Sequence, residues 1–191
     1  MAELTPLEIS GAWLYQSDVH QDNRGYFAEW FRADLIQKSI GTKFDLAQAN
    51  LSHSSKGVVR GIHFSVAPQG QAKWMTCLSG SLWDVVVDIR PKSPTFKKWI
   101  AVELKAGSGK SLYISENLGH AFLSLTDETT IAYLLSSSYS PKDELAINPI
   151  DPEIGIEWPI SELQFSDKDR AAPNLREVLE NLRSDPRYAQ D

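Results

Sequence analysis

The chain has 191 residues with 19 basic and 25 acidic side chains, a formal charge of −6 and a pI near 5.2. That length suits one domain, 1–191, with a core large enough to need neither disulfides nor a structural metal. A content of 42% hydrophobic and 23% charged residues is that of a globular protein and argues against disorder. The acidic balance excludes a general nucleic-acid or anionic-membrane binder, because such surfaces need an excess of Lys and Arg.

Cys77 is the only cysteine, which excludes an intramolecular disulfide and four-sulfur zinc sites. Residues 1–6 lack a basic stretch followed by an apolar one, so no secretory signal is expected. No run approaches the ~18 apolar residues that span a bilayer. The expectation is a soluble cytoplasmic protein.

In chain order, short stretches rich in Val, Ile, Trp and Tyr predict strands at 12–16, 27–31, 46–51, 58–64, 72–78, 81–90, 99–104, 111–114, 121–125 and 129–136. The clearest is 81–90, where Trp83, Val85, Val87 and Ile89 form one face while Asp84, Asp88 and Arg90 share the other with Leu82 and Val86. A short helix is predicted at 33–39. A second, at 174–183, carries Leu175, Val178, Leu179 and Leu182 at helical spacing after Pro173, and the segment 185–191 is expected to be loose. About ten strands with almost no intervening helices imply antiparallel sheets in a sandwich or barrel, since parallel pairs need crossover helices.

His20 and His53 stand among polar residues and read as solvated. His63 stands inside a strand, with Gly61 and Val59 on its face and Arg60 and Ile62 on the other by simple alternation. An inward histidine is either a hydrogen-bonded core residue or a catalytic group, and His120 shares the ambiguity. There is no His-x-His pair and no His-Glu-x-x-His helix, so a metal site is poorly supported. Gln48 and Asn50 lie two apart, on one face of a strand. The run Ser166-Asp167-Lys168-Asp169-Arg170 reads by itself as a solvated loop.

These segments together resemble the dTDP-4-dehydrorhamnose 3,5-epimerases. The matching elements are Asp22-x-Arg24-Gly25-x-Phe27-x-Glu29, Gln48-x-Asn50-x-Ser52, Gly57-Val58-x-Arg60-Gly61-x-His63-Phe64 and Gln71-x-Lys73. They continue with Asp84-Val85-x-Val87-Asp88-Ile89-Arg90, Gly119-His120-x-Phe122, Tyr133, Tyr139-x-Pro141, Glu144, Asp151-Pro152, Trp158-Pro159 and Ser166-Asp167-Lys168-Asp169. The resemblance implies an all-β double-stranded β-helix, a cupin-like jelly roll with short peripheral helices, working as a homodimer without metal or other cofactor. It implies His63 as general base, Asp169 as its orienting carboxylate, Tyr133 as general acid and Lys73 at the substrate's ketone oxygen. His120 would line the sugar site. Arg24, Phe27, Glu29, Gln48, Asn50, Arg60, Tyr139, Glu144 and Lys168 would bind the dTDP-sugar, some of them reaching the site from the partner subunit.

The implied reaction inverts C3 and C5 of dTDP-4-dehydro-6-deoxy-D-glucose, giving dTDP-4-dehydro-L-rhamnose. A C4 ketone acidifies both neighbouring hydrogens, and an imidazole suits their abstraction near neutral pH. Three departures touch the rim: Ser65-Val66-Ala67 after Phe64, Ser115-Glu116-Asn117-Leu118 before Gly119, and Leu145-Ala146 after Glu144. They leave the acid–base set intact and bear on the identity of the sugar and the number of inverted centres. The alternatives are a single-centre epimerase of a related 4-keto-deoxysugar and a non-catalytic sugar-nucleotide-binding β-sandwich. A metal-dependent cupin oxygenase lacks its ligands.

Overall fold

The structure, a computed structural model, describes residues 2–66 and 70–184. The segment 185–191, expected to be loose, and Ala67 lie outside the described residues. In chain order the elements are β1 (Glu3–Pro6), β2 (Ala12–Gln16), β3 (Val19–Asp22), β4 (Gly25–Ala28), α1 (Ala33–Ile40), β5 (Gln48–Ser54), β6 (Val59–Ser65) and β7 (Lys73–Ser79). They continue with β8 (Ser81–Val87), β9 (Trp99–Lys105), β10 (Lys110–Ile114), β11 (Gly119–Ser124), β12 (Thr129–Leu135), β13 (Glu144–Ala146), α2 (Asp167–Arg170) and α3 (Leu175–Ser184). A six-stranded sheet (β1-β2-β10-β7-β12-β5) faces a five-stranded one (β13-β6-β11-β8-β9), and every strand pairing in them is antiparallel. The β3–β4 hairpin stands apart as its own two-stranded sheet. This is the expected all-β jelly roll with peripheral helices.

Three apolar clusters explain why the strands are rich in β-branched and aromatic residues on both faces. Between the sheets, Met75, Leu112 and Ile131 meet Leu82, Val86, Leu104 and Phe122. Behind the five-stranded sheet, Ile62, Phe64, Val85 and Val87 pack against Ile154, Leu175 and Val178. Behind the six-stranded sheet, Tyr15, Trp74 and Tyr113 pack against Ile36 and Phe44. The helices therefore cover outer faces that would otherwise be wet. α3 starts in a reciprocal capping box: Asn174 Oδ1 accepts from the Glu177 N–H at 3.0 Å and Glu177 Oε2 from the Asn174 N–H at 2.9 Å. Among the described residues no helix is long and apolar enough to cross a membrane.

The structure corrects several predicted bounds. β1, β3 and β13 are strands that the sequence pattern does not mark, being three or four residues long, with β1 and β3 largely exposed and β13 half-buried. The strand predicted at 27–31 is displaced to Gly25–Ala28, the returning arm of a hairpin. The strand predicted over 81–90 ends at Val87, because Asp88 folds the chain back. Its carboxylate accepts from Arg90 Nε and Nη2, each at 2.8 Å, and from Ser93 Oγ and Thr95 Oγ1, each at 2.5 Å.

Burial alone pushes the Asp88 carboxyl up, but these donors outweigh it and hold it far below the usual carboxylate range. Its folded value thus lies below its unfolded one of roughly 3.9. The stabilisation is complete above the unfolded value and fades as the pH falls through it toward the folded one. Asp88→Asn is expected to lower stability by about 2–3 kcal/mol at pH 7, as the loss of charge-assisted bonds to buried donors does. Urea unfolding from pH 7 to pH 3 should show the gap between the two proteins constant above about pH 5 and narrowing below it.

Candidate active site

A cavity of about 430 Å³ lies between the two sheets. Asn50, Lys73, Met75 and Tyr133 reach it from the six-stranded sheet, and Arg60, His63, His120, Phe122 and Glu144 from the five-stranded one. Leu51, Ser52, His53, Gln71, Leu135, Tyr139 and Lys168 complete its lining. On one wall, pairing register places Tyr133 between Asn50 and Met75. On the other, it places His63 beside His120.

Simple alternation would send Arg60 away from His63, yet both line the cavity. The reason is a bulge. Between the pairs Phe122↔Arg60 and His120↔His63 β6 advances three residues while β11 advances two. The extra residue restores Arg60 to the face of His63. Gly61, at φ +124°, permits it, and a Cβ there would lie 2.6 Å from the Ala121 Cα. A glycine inside a strand pattern was the available signal. Arg60 is then held by Nε donating to Ser54 Oγ at 3.1 Å and Nη2 to the His53 carbonyl at 3.2 Å.

The charged run at 166–170 is not a solvated loop. Gln164 bridges to Val58 in parallel, its carbonyl accepting from the Val59 N–H at 2.8 Å, which carries the following turn, α2, against β6. Ser166 caps α2, its Oγ accepting from the Asp169 N–H at 3.0 Å. Asp169 is buried and takes a 2.7 Å bond from His63 Nε2. Burial pushes the Asp169 carboxyl up, but His63 above all, then Ser166 and the Gly61 N–H, bring it below its ordinary value. The carboxylate therefore stays ionised and can hold the imidazole in one orientation.

Lys73 is buried, and its Nζ donates to Gln71 Oε1 at 2.6 Å. Desolvation pulls the ammonium down from the ordinary lysine value, with Glu144 opposing it. His120 Nε2 lies 2.5 Å from Asp84 Oδ1, a pair in which the Asp84 side chain is wholly buried. Asp84 is a site residue to which the sequence assigned no role. An acid between Leu82 and Val86, on the face that meets the inner core, was the signal.

Other expected site residues stand elsewhere. Gln48 does not line the cavity but braces it, its Nε2 donating to Asn50 Oδ1 at 2.9 Å and its Oε1 accepting from the Tyr139 N–H at 2.8 Å. Arg24 and Phe27 lie on the β3–β4 hairpin, outside the cavity lining, and Glu29 follows it. Arg24 is exposed and paired with Asp22 at 2.5 Å, and Glu29 is paired with Arg32 at 3.3 Å. Phe27 is 64% exposed. His53, expected to be simply solvated, is exposed but lines the cavity beside Arg60. Among the described residues no group of three or more His, Cys, Asp or Glu side chains is placed to hold a metal.

A cavity with an oriented imidazole, a desolvated ammonium and a phenol on its walls can move protons at carbon next to a carbonyl. Comparison with known proteins agrees. Residues 6–177 match the family described as dTDP-4-dehydrorhamnose 3,5-epimerase. The chain is 49% identical over 173 residues to the dTDP-4-dehydrorhamnose 3,5-epimerase of Mycolicibacterium smegmatis, covering 90% of this chain and 85% of the relative. It is 46% identical over 171 residues to the dTDP-4-dehydro-6-deoxyglucose 3-epimerase of Streptomyces bikiniensis, covering 89% and 87%. In structure it is similar to NovW, a 4-keto-6-deoxy sugar epimerase from Streptomyces spheroides, with a TM-score of 0.92, 42% identity and coverage of 95% and 91%. The chain belongs to the dTDP-4-dehydrorhamnose 3,5-epimerase family.

The Lys73 charge opposes folding, because its folded pKa lies below its unfolded one. Lys73→Met is therefore expected to match the natural chain in stability or exceed it by up to about 2 kcal/mol at pH 7. The difference should shrink as the pH rises through the folded lysine value toward roughly 10.4, where neither state carries the charge. Urea unfolding at pH 7 and pH 10 reads both effects.

Proposed function

Proceeding from that membership, we propose that this enzyme inverts C3 and C5 of dTDP-4-dehydro-6-deoxy-D-glucose to give dTDP-4-dehydro-L-rhamnose, in dTDP-L-rhamnose biosynthesis. The observation that carries the reading is that His63 and Tyr133 reach one cavity from opposite sheets. Inversion needs a base on one face of a carbon and an acid on the other, and opposed walls supply both.

His63, held through Nε2 by Asp169, takes the proton from C3 or C5 on Nδ1. The electron pair moves into the C4 ketone, forming an enolate whose oxygen is stabilised by the Lys73 ammonium. Such help is worth several kcal/mol at roughly one donor. Tyr133 gives its phenolic proton to the opposite face of the carbon as the ketone re-forms. Solvent exchange then restores the phenol and the neutral imidazole. His120, braced by Asp84, lines the sugar. Arg60 and Lys168 suit the diphosphate, Arg binding bidentately, and Asn50, Glu144 and Tyr139 complete recognition of the dTDP-sugar, with Gln48 bracing Asn50 and Tyr139.

The working unit in this reading is a cytoplasmic homodimer that needs no metal. Arg24, Phe27 and Glu29 lie outside the chain's own cavity lining, and the exposed β3–β4 hairpin suits delivery of them to the partner's site. The buried, unpaired Cys77 suits a reducing compartment. A second reading, inversion at C3 alone, is favoured by the similarity to the Streptomyces bikiniensis 3-epimerase.

Incubation with the 4-keto sugar nucleotide in D₂O, followed by NMR, tests the reading: deuterium is expected at both C3 and C5 with inversion, and in EDTA as well. Deuterium at C3 alone would establish the second reading. A protein that binds dTDP-sugar without any exchange would establish a binding module instead.

Tyr133→Phe is expected to keep the fold and to keep exchange, because His63 can return a solvent-derived proton to the face it came from. Inversion should fall by a factor of about 10²–10⁴, and parallel loss of both processes with stability would make Tyr133 a core residue. Phe27→Ala is expected to raise KM several-fold with kcat within about twofold, as removal of uniform binding does. Light scattering should give a dimer for the natural chain.

A further inference from the structure

Lys73 Nζ is turned toward Gln71, a residue with no part in the mechanism above. Both side chains are buried, Lys73 at 6% and Gln71 at 5% exposure, and 2.6 Å separates Nζ from Oε1. The amide cannot present its other end. Gln71 Nε2 donates to the Ser137 carbonyl at 3.1 Å, and a carbonyl only accepts, so the amide oxygen must face the lysine. Ser137 is itself tied down, its Oγ donating to the Gly70 carbonyl at 3.3 Å. Ser136 Oγ accepts from the Ala72 N–H at 2.8 Å. Residues 70–73 are thus stapled to the chain leaving β12, and the amide is the pivot of that staple.

We infer that Gln71 is a positioning residue for Lys73: a neutral acceptor, fixed by Ser137, that aims the ammonium and leaves its full charge for an oxyanion in the cavity. The inference rests on the enolate chemistry proposed above. Neutrality is the essential property. A carboxylate in the same place would pair with the lysine and cancel the charge that the enolate needs. An apolar side chain would leave a desolvated ammonium with one partner fewer, which favours its deprotonation. The other charged or titratable groups lining the cavity are Glu144, His63, His120, Tyr133, Tyr139, Arg60 and Lys168, together with the exposed His53. They are common to every variant below and do not distinguish them.

The test follows Lys73 itself in Gln71→Glu and Gln71→Met, by NMR titration of protein labelled with ¹³C at lysine Cε. The resonance is assigned by its absence from Lys73→Met. The midpoint is expected to move up by about one pH unit or more in Gln71→Glu, as for an ammonium gaining an opposite charge at contact distance, and down in Gln71→Met. In turnover at pH 7, both variants are expected to lose at least about tenfold in kcat, within the range set by removal of one oxyanion donor. KM should stay within about threefold. Lowering the pH should restore part of the rate to Gln71→Met, by reprotonating the lysine, and none to Gln71→Glu.

A structural role alone predicts midpoints that stay put or move the same way in both variants, and either result overturns the inference. If circular dichroism shows one variant unfolded, Gln71→Asn, which retracts the amide, replaces it and is expected to move the midpoint down; an unmoved midpoint there also overturns it. The titration needs no substrate. Opposite displacements in a protein inert toward the 4-keto sugar nucleotide would sink the epimerase reading and leave the positioning, whereas an active epimerase with unmoved midpoints would do the reverse.

Discussion

The extra residue that β6 carries against β11 governs the rest of the site. Without the bulge at Gly61, alternation would bury Arg60 in the apolar layer behind the five-stranded sheet, where Ile62 and Phe64 pack. With it, a guanidinium and an imidazole share one face three residues apart, and the Gly61 N–H is free of the ladder to bond Asp169. One missing Cβ makes this possible, since the Ala121 backbone occupies the space that a side chain would need. The turn at 166–170 can then close over β6 with its acid buried.

The two walls of the cavity are built differently because they meet different demands. The five-stranded wall carries two histidine–carboxylate pairs, His63–Asp169 and His120–Asp84. In each, a buried carboxylate fixes the direction of a ring. The six-stranded wall carries Lys73, Tyr133 and Asn50 on the inward side of strands whose outward side is aromatic. Rigid strands suit both, because proton transfer at carbon tolerates little displacement of donor and acceptor. Polar groups between two sheets would weaken an ordinary sandwich. Here the apolar layers behind both sheets, under α1 and α3, and the apolar cluster filling part of the space between them hold the architecture, while the rest of that space forms the cavity.

The sheets also leave this architecture with an unfinished edge. The β3–β4 hairpin exposes Tyr26 and Phe27 away from the cavity lining, and an aromatic hairpin with no covering layer is a surface made for contact. Arg24 and Phe27 on this hairpin thus stand apart from the cavity on which His63, Lys73 and Tyr133 converge.

The sequence by itself determined the strands with strong β-branched or aromatic character, most of them within a residue or two, and both longer helices. Local pattern suffices there, because burial on both faces demands apolar residues almost continuously. It also determined the resemblance that singles out His63, Lys73, Tyr133 and Asp169 as a set. Three things were decided only by tertiary structure. Arg60 changes faces because a bulge depends on what β11 brings opposite Gly61, which lies some 60 residues away in the chain. Asp169 leaves the fate of a solvated charge run because the bridge between Gln164 and Val58 carries it to His63, a partner 106 residues distant. Asp84 becomes the brace of His120 because β8 pairs with β11 in a register that sets Asp84 opposite Phe122, two residues along from His120 on the same face. In each case the deciding contact is long-range, and a local irregularity such as Gly61 or Asp84 inside a strand marks the position without naming its partner.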